Sequence, residues 1–253
     1  MANNGPKLTT GLPHLDNVLH GMISGDNVVW QVNSIEEYLP FVEPYCDAAQ
    51  QSGIRLIYFR FAQHRPLIAD SPGVVIHPLK LGQGFEPLVS ELQGVIEEAG
   101  PGTYYLFDCL SDLAVDWSSD RMLGNFFMLI CPYILHHGGL AYFSLLRDVH
   151  SSHTTRPVTN TAQILIDVYR HDEALYIRPR KVEGRHSSTM HMLHAREGDE
   201  FTPVTGSSRN TEVLSPSSWN RQRSTNKRLG VWSRVFVRAQ QSYDALQRGE
   251  EPW

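Results

Sequence analysis

The sequence has little of what membrane, secreted or nucleic-acid-binding proteins need. Among its 253 residues, no apolar run approaches the roughly 20 residues that span a bilayer. The first 16 residues do not show the basic-then-apolar pattern of a secretory signal peptide. The net charge is −5, so no overall basic field favours nucleic acid. We therefore expect a cytoplasmic protein that binds neither a membrane nor nucleic acid.

Cysteine is also scarce, and its pattern excludes a disulfide framework. The chain has only Cys46, Cys109 and Cys131, an odd number of widely separated residues. Such cysteines are typical of reduced thiols in a protein core, and they lack the close spacing of a zinc site.

Other candidate metal ligands are present but poorly arranged. Asp108, Asp112, Asp116 and Asp120 recur every four residues, which could align their carboxylates on one helix. The pattern we favour instead is a loop in which Ser119 or Asp120 caps the following helix. The 12 histidines are scattered, whereas zinc needs three or four convergent ligands. We expect no metal site.

What the sequence does have is an alternation of buried strands and amphipathic helices. This alternation predicts an α/β fold with a mainly parallel sheet and helices on both faces. After residue 160 the pattern changes to short strands joined by turns, which predicts an antiparallel meander at one edge. The predicted strands are 27–32, 55–61, 73–76, 103–110, 140–146, 162–169, 174–180, 188–195 and 201–204, and the main helices are 85–99 and 120–136.

A further helix is predicted over residues 35–51, but it contains two prolines. Pro40 and Pro44 both fall inside the periodic apolar pattern. Proline is tolerated in the first turn of a helix and disruptive further in. The helix therefore either begins late, with Pro44 in its first turn, or is kinked.

Composition divides the chain into three parts. Residues 1–204 carry the α/β pattern, and we expect them to form one domain. Residues 205–228 are polar, rich in serine and basic, which is typical of a linker. Residues 229–253 recover helical periodicity and predict a C-terminal amphipathic helix, which docks either on its own core or on a partner.

Four motifs resemble those of KaiC-like ATPases of the RecA superfamily. Residues 10–21 (TGLPHLDNVLHG) resemble the family's entry motif, and residues 25–29 its glycine-led first strand. Residues 106–111 (LFDCLS) are similar to the Walker B strand, and residues 179–186 to the late KMRGxxH hairpin. The resemblance covers about residues 8–204. It implies a RecA-like three-layer sandwich, ATP sites between subunits and often a hexameric ring.

The phosphate cradle that this family needs is missing. A Walker A loop, GxxxxGK[ST], wraps backbone N–H groups around phosphate, and its lysine and hydroxyl hold the phosphate and magnesium. Residues 32–38 (VNSIEEY) stand in its place. Ser34 and Glu37 match a capping box, in which side chains satisfy the helix start. The carboxylates of Glu36 and Glu37 would repel a triphosphate. The Walker A motif is thus degenerate.

Two other catalytic positions have changed as well. Ala62 and Gln63 stand where the resemblance implies the catalytic carboxylate pair. Lys181 is retained in the KMRG-like motif, but Glu183 stands where an arginine would stabilise the transferred phosphate. We therefore expect a pseudo-ATPase with no catalytic residues. The residues left for a vestigial nucleotide site are Asn33, Ser34, Asp108, Ser111 and Lys181.

Asp108 allows two interpretations. In the family it would support magnesium through water. Without a cradle, it is more simply a strand-end aspartate bonded to a neighbouring backbone turn.

Residues 150–160 fall where RecA-like proteins carry a pore loop, yet they include one arginine and no aromatic residue. We expect them to form a surface loop.

We expect a non-catalytic module that contacts a protein partner or another copy of itself and needs no cofactor. Residues 25–45 are also similar to a stretch at the N-terminus of some phosphoenolpyruvate synthase / pyruvate phosphate dikinase-type proteins. That resemblance implies a regulatory or scaffolding module for such an enzyme, either as a fragment or as a free relative. The alternative is an atypical nucleotide-binding protein or ATPase that holds ATP and magnesium at Asp108 and Lys181.

Overall fold

A computed structural model describes residues 8–215, with gaps at Gln63 and at Trp117 and Ser118. Within this part of the chain, no helix is long and apolar enough to cross a membrane. The strands are β1 (Asn27–Val32), β2 (Leu56–Arg60), β3 (Val74–Pro78), β4 (Tyr104–Cys109), β5 (Leu140–Leu146), β6 (Ile164–His171), β7 (Ala174–Val182), β8 (His194–Glu197) and β9 (Glu200–Pro203). The helices are α1 (Pro13–Leu19), α2 (Leu39–Gln51), α3 (Phe85–Ala99), α4 (Leu110–Asp116), α5 (Asp120–His136), α6 (Ser152–Thr161) and α7 (Ser207–Leu214).

All nine strands form one sheet in the order β3-β2-β4-β5-β1-β6-β7-β8-β9. The six strands from β3 to β6 are parallel to one another, and β7, β8 and β9 are added in antiparallel fashion. The predicted α/β class is therefore confirmed, as are the mainly parallel sheet and the antiparallel strands near the C-terminal end.

The sheet is covered on both faces. One core includes Trp30, Tyr58 and Tyr142 and packs against α1 and α2. The other includes Phe107 and Phe143 and packs against α3, α4 and α5. Side chains of a strand alternate between the two faces, so the central strands must be apolar throughout. All six residues of β4 are buried for this reason.

The connections that follow the parallel strands leave the carboxyl edge of the sheet toward different faces. The helix after β1 lies on one face, whereas the helices after β4 and β5 lie on the other. Neighbouring strands whose chains leave toward opposite faces flank a crevice, and ligands of open α/β sheets bind at such crevices. The chain after β2 leaves toward the first face, where Leu67 packs, so this rule predicts one crevice between β1 and β5 and another between β2 and β4.

The helix after β1 begins late. A short 3₁₀ turn, Ile35–Glu37, precedes α2, whose first turn contains Pro40. Pro44 lies inside the helix rather than in its first turn. The carbonyl of Pro44 also contacts the segment before α1. A Cβ added to Gly11 would lie 1.9 Å from the Pro44 oxygen. Gly11 has a φ of +81°, so only glycine suits both demands.

Three local predictions were wrong. Residues 150–160 are not a loop: most of them form α6, whose start is capped by the Ser151 hydroxyl accepting from the Thr154 N–H at 3.3 Å. The segment before α5 includes α4. Residues 188–195 are mostly a turn, in which the Met192 N–H bonds to the Thr189 carbonyl at 2.9 Å, and β8 begins only at His194.

The predicted polar linker, residues 205–228, begins with a helix. Val213 of α7 is buried with Tyr169, Tyr176 and Leu193. Arg209 donates a 2.7 Å hydrogen bond to the Tyr176 hydroxyl. A few apolar contacts of Val213 and Leu214 and the bonds of Arg209 thus dock a short helix that a polar composition conceals. The predicted helix at residues 229–253 lies outside the described residues.

Candidate functional site at the carboxyl edge of the sheet

The loop after β1 binds its own backbone with a carboxylate. Glu37 is only 3% exposed, and its Oε2 accepts a 2.8 Å hydrogen bond from the Asn33 N–H. Burial raises the pKa of Glu37, against the opposing effect of its bonds to Asn33. The predicted capping box does not form, because Ser34 makes no side-chain capping bond and Glu37 accepts from the N–H of Asn33 rather than from that of Ser34. The strand-end N–H that a phosphate would need already has a carboxyl oxygen as its acceptor.

Arg147 fills the crevice between β1 and its neighbours. It follows β5, and its Nη2 donates to the carbonyls of Gln31 at 3.1 Å and Val168 at 3.0 Å. Its guanidinium stands 4.3 Å from the centre of the Tyr169 ring and 3.7 Å from an oxygen of Asp167. The side chain is 8% exposed. A single cation therefore joins the ends of β1 and β5 to the middle of β6.

Asp108 at the end of β4 is buried and fully engaged. Its Oδ2 accepts from Arg60 at 2.5 Å and from the N–H groups of Phe61 and Ala62 at 2.8 and 2.7 Å. Its Oδ1 accepts from the Tyr58 hydroxyl. This arrangement matches the interpretation of Asp108 as a strand-end aspartate bonded to a neighbouring turn. One of these N–H groups belongs to Ala62, which stands at one of the two positions where the resemblance implies a catalytic carboxylate. The other position, Gln63, lies outside the described residues.

Ser111, in the first turn of α4, makes hydrogen bonds within the fold. Its Oγ accepts a 3.0 Å hydrogen bond from the Leu146 N–H. The Nε2 atom of His150 lies 2.9 Å from the same oxygen. Ser111 is 3% exposed. The hydroxyl thus joins the start of α4 to the end of β5.

Lys181 lies away from the other predicted site residues. Its Nζ donates to the carbonyls of Asn160 at 2.7 Å and Ala162 at 2.6 Å, at the end of α6. Its strand β7 is four places from β4, which is roughly 19 Å of sheet. Lys181 bonds on the face that α6 covers, whereas Asp108 bonds to Tyr58 on the α2 face. The structure therefore brings Asn33 and Ser34 to one crevice and Asp108 and Ser111 to the other side of β5, without Lys181.

Several motif residues have structural partners. Asp16 of the entry motif accepts from the N–H and the hydroxyl of Thr10 at 2.9 and 2.8 Å. Arg185 of the late hairpin forms a two-pronged ion pair with Asp26, at 2.7 and 3.0 Å. Both members of that pair are nearly buried, with side-chain exposures of 6% and 4%. The Thr10–Asp16 bonds hold the entry motif together, and the Arg185–Asp26 pair ties the late hairpin to the residue before β1.

The charged side chains at this edge already have bonding partners within the protein. Its carboxylates and guanidinium groups bond to protein atoms of the same chain. Among the described residues, no group of three or more His, Cys, Asp or Glu side chains is placed to hold a metal ion. Cys46, Cys109 and Cys131 are buried free thiols, and burial raises the pKa of each to about 12, which keeps them protonated.

Sequence reasoning missed Arg147, Asp167 and Arg60. Arg147 and Arg60 stand at the end of the apolar strand patterns LAYFSLLR and LIYFR, whereas Asp167 lies within the pattern ILIDVY. Charge at the end of, or within, an apolar strand pattern was the available signal, because such side chains must find partners. Their mutual pairing depends on strand order, which the sequence does not state.

Comparisons of the sequence with protein-family models and with curated proteins found no match.

The burial of Glu37 makes stability depend on pH. A carboxyl whose pKa is raised in the folded state stabilises the fold fully below its ordinary value of 4.5 and loses that contribution as pH rises through the raised value. We predict that Glu37→Gln gains stability relative to the unaltered chain as pH rises from 4.5 to 7. Urea unfolding at several pH values measures this difference. Glu36→Gln is the control, because Glu36 is exposed; a flat difference for Glu37→Gln would contradict the burial argument.

The bonds of Asp108 predict a large structural role. In Asp108→Asn, one carboxylate oxygen that accepts hydrogen bonds becomes an N–H₂ group that faces other donors. The variant also leaves Arg60 without its charge partner. Breaking a buried ion pair from one side costs about 3–5 kcal/mol. Chemical denaturation should show a loss of this size. The matched control is the exposed Asp47→Asn, which should change the unfolding free energy by less than about 0.5 kcal/mol. A loss below about 1 kcal/mol for Asp108→Asn would be inconsistent with the observed bonds.

Proposed function

We propose that this chain is a KaiC/RecA-like domain that does not hydrolyse ATP and acts by binding another protein. The observation that carries the proposal is the closed carboxyl edge. Glu37 occupies the Asn33 N–H, and Asp108 accepts four hydrogen bonds from its own chain. A nucleotide would have to displace these carboxylates, and its phosphates would carry the same sign of charge.

The placement of the motifs supports the family part of the proposal. The Walker A-like loop and the Walker B-like aspartate both lie at the carboxyl ends of parallel strands, where open α/β sheets bind ligands. The Arg185–Asp26 pair joins the late hairpin to the residue before β1, and Asp16 bonds to Thr10 within the entry motif. The parts that support the fold are therefore retained, whereas the parts that would contact phosphate are replaced.

The alternative site at Asp108 and Lys181 finds less support. The two side chains lie on different faces of the sheet, four strands apart. Lys181 is already held by two carbonyls, and Glu183 stands 3.7 Å from its Nζ. A phosphate that bridged the two residues would require the sheet itself to change.

Calorimetric titration of the chain with ATP, ADP and cyclic nucleotides, with and without magnesium, tests the proposal. We expect no saturable heat, which corresponds to a dissociation constant weaker than about 1 mM. Lys181→Ala provides a second arm, because this variant leaves the bonds of Asp108 intact. Micromolar binding of ATP that is lost in Lys181→Ala would overturn the proposal in favour of the nucleotide-binding alternative.

The partner that we propose is an enzyme of the phosphoenolpyruvate synthase type. Its support is the resemblance of residues 25–45, in which Glu37 and the 3₁₀ turn replace the cradle. The same calorimeter, with such an enzyme in place of nucleotide, tests this part separately. Heat that saturates at a fixed molar ratio supports a regulatory or scaffolding role. The absence of heat would remove this partner and leave the pseudo-ATPase proposal standing.

A further inference from the structure

Helix α5 presents an apolar stripe to solvent. Among the described residues, five large hydrophobic side chains are exposed, and three of them belong to α5: Met128 at 43%, Leu129 at 46% and Leu135 at 43%. Pro132 of the same helix is also exposed. We call these four residues the α5 stripe. Residues three or four apart share one side of a helix, so the stripe is continuous. Contiguous exposed apolar surface of this kind marks an interaction site.

Two helices flank α5 on opposite sides. On one side, the Tyr133 hydroxyl donates a hydrogen bond to Glu97 of α3. On the other side, Gly124 lies against α6, where an added Cβ would be 3.2 Å from the Cγ of Pro157. Gly124 and Tyr133 are separated by about two and a half helical turns, so they point to opposite sides of α5. The stripe is therefore the middle of a surface formed by α3, α5 and α6.

The two flanks of this surface differ in charge. On α3, the side chains of Glu86, Glu97 and Glu98 are exposed, and the helix contains no Lys or Arg. On α6, the side chains of His153 and Arg156 are exposed, and the helix contains no Asp or Glu. The three helices together thus present an acidic edge, an apolar middle and a cationic edge.

A two-fold axis parallel to α5 makes this surface complementary to itself. Such an axis places the stripe of one copy on that of another, and the α3 flank of each copy on the α6 flank of the other. All three helices connect parallel strands, so they run in the same direction. The Tyr133–Glu97 and Gly124–Pro157 contacts then place Glu86 and Arg156 within roughly one helical turn of the same height.

The surface is large enough for a specific contact. The 17 residues of α5 measure about 25 Å, and three helices packed side by side span roughly 25 Å. Each copy therefore offers roughly 600 Å², and a pair of such faces buries roughly 1,200 Å². This area lies at the lower end of the range for specific protein interfaces.

We propose that two copies of this chain pair through α5 about a two-fold axis, stripe against stripe, with the acidic α3 of each copy beside the α6 of the other. The apolar stripe supplies the buried core of the contact, and the charged flanks fix its orientation. The inference rests on α3, α5 and α6, and it holds whether or not the carboxyl edge binds nucleotide.

Sedimentation equilibrium of the full chain, over about 1–100 μM, measures this pairing. We expect a dimer that dissociates on dilution. Leu129→Asp should raise the dissociation constant at least about tenfold, because it buries an unpaired carboxylate in the contact. Val75→Asp is the matched control, because Val75 is 43% exposed but belongs to β3. It should leave the dissociation constant unchanged. Circular dichroism of each variant verifies that the domain is folded.

A charge exchange tests the orientation separately. Glu86→Lys and Arg156→Glu should each weaken the dimer about fivefold, because each brings like charges together at two symmetric places. The double variant should recover the original affinity, since it only exchanges the charges of the two flanks. Glu43→Lys is the control, because Glu43 is exposed on α2, on the other face of the sheet.

Three results would overturn the proposal. The first is a monomer at every concentration tested. The second is a dimer that Leu129→Asp weakens no more than Val75→Asp does. The third is a dimer in which the double charge variant is as weak as the single ones, because the acidic and cationic flanks would then not meet.

Discussion

Satisfaction of the polar groups at the carboxyl ends of the parallel strands is the constraint on which this structure depends. Strands that end together leave backbone N–H groups that must find acceptors. In α/β proteins that bind phosphate, the ligand accepts such N–H groups. Here Asp108 accepts the N–H groups of Phe61 and Ala62, and Glu37 accepts that of Asn33. Three backbone N–H groups at this edge thus have acceptors within the chain.

The two carboxylates achieve this in different ways. Asp108 is compensated by Arg60 and by three other donors, so its buried charge is paired and hydrogen-bonded. For Glu37, burial is the largest cause of the raised pKa. The charge of Arg147 opposes this rise, while Arg147 donates hydrogen bonds to the carbonyls of Gln31 and Val168. Together these side chains place charged groups at the ends of β1, β4 and β5 and beside the middle of β6.

Local pattern predicted the elements whose apolar spacing was strong. The bounds of β1, β5, α3 and α5 agree with those predicted, because each combines a long periodic stretch with a clear stop signal. Helix α6 was missed because it is polar and contains Pro157, so neither its spacing nor its composition distinguishes it from a loop. Residues 188–195 appeared strand-like, although Thr189 and Met192 close a turn.

The candidate site was predictable only in its parts. The missing cradle and the acidic loop could be read directly, since both concern consecutive residues. The separation of Asp108 from Lys181 could not, because it follows from strand order and from the face on which each side chain bonds. The same holds for Arg147, whose partners lie in β1 and β6, far away in sequence.

The amide resonance of Asn33 in the full chain gives the most direct test that this edge is closed by its own carboxylate. As magnesium and ATP are added to millimolar concentration, the account predicts no shift of that resonance. As pH is raised from 4.5, it predicts a shift that follows the titration of Glu37. A saturable shift of the Asn33 amide with ATP, at constant pH, would contradict the account.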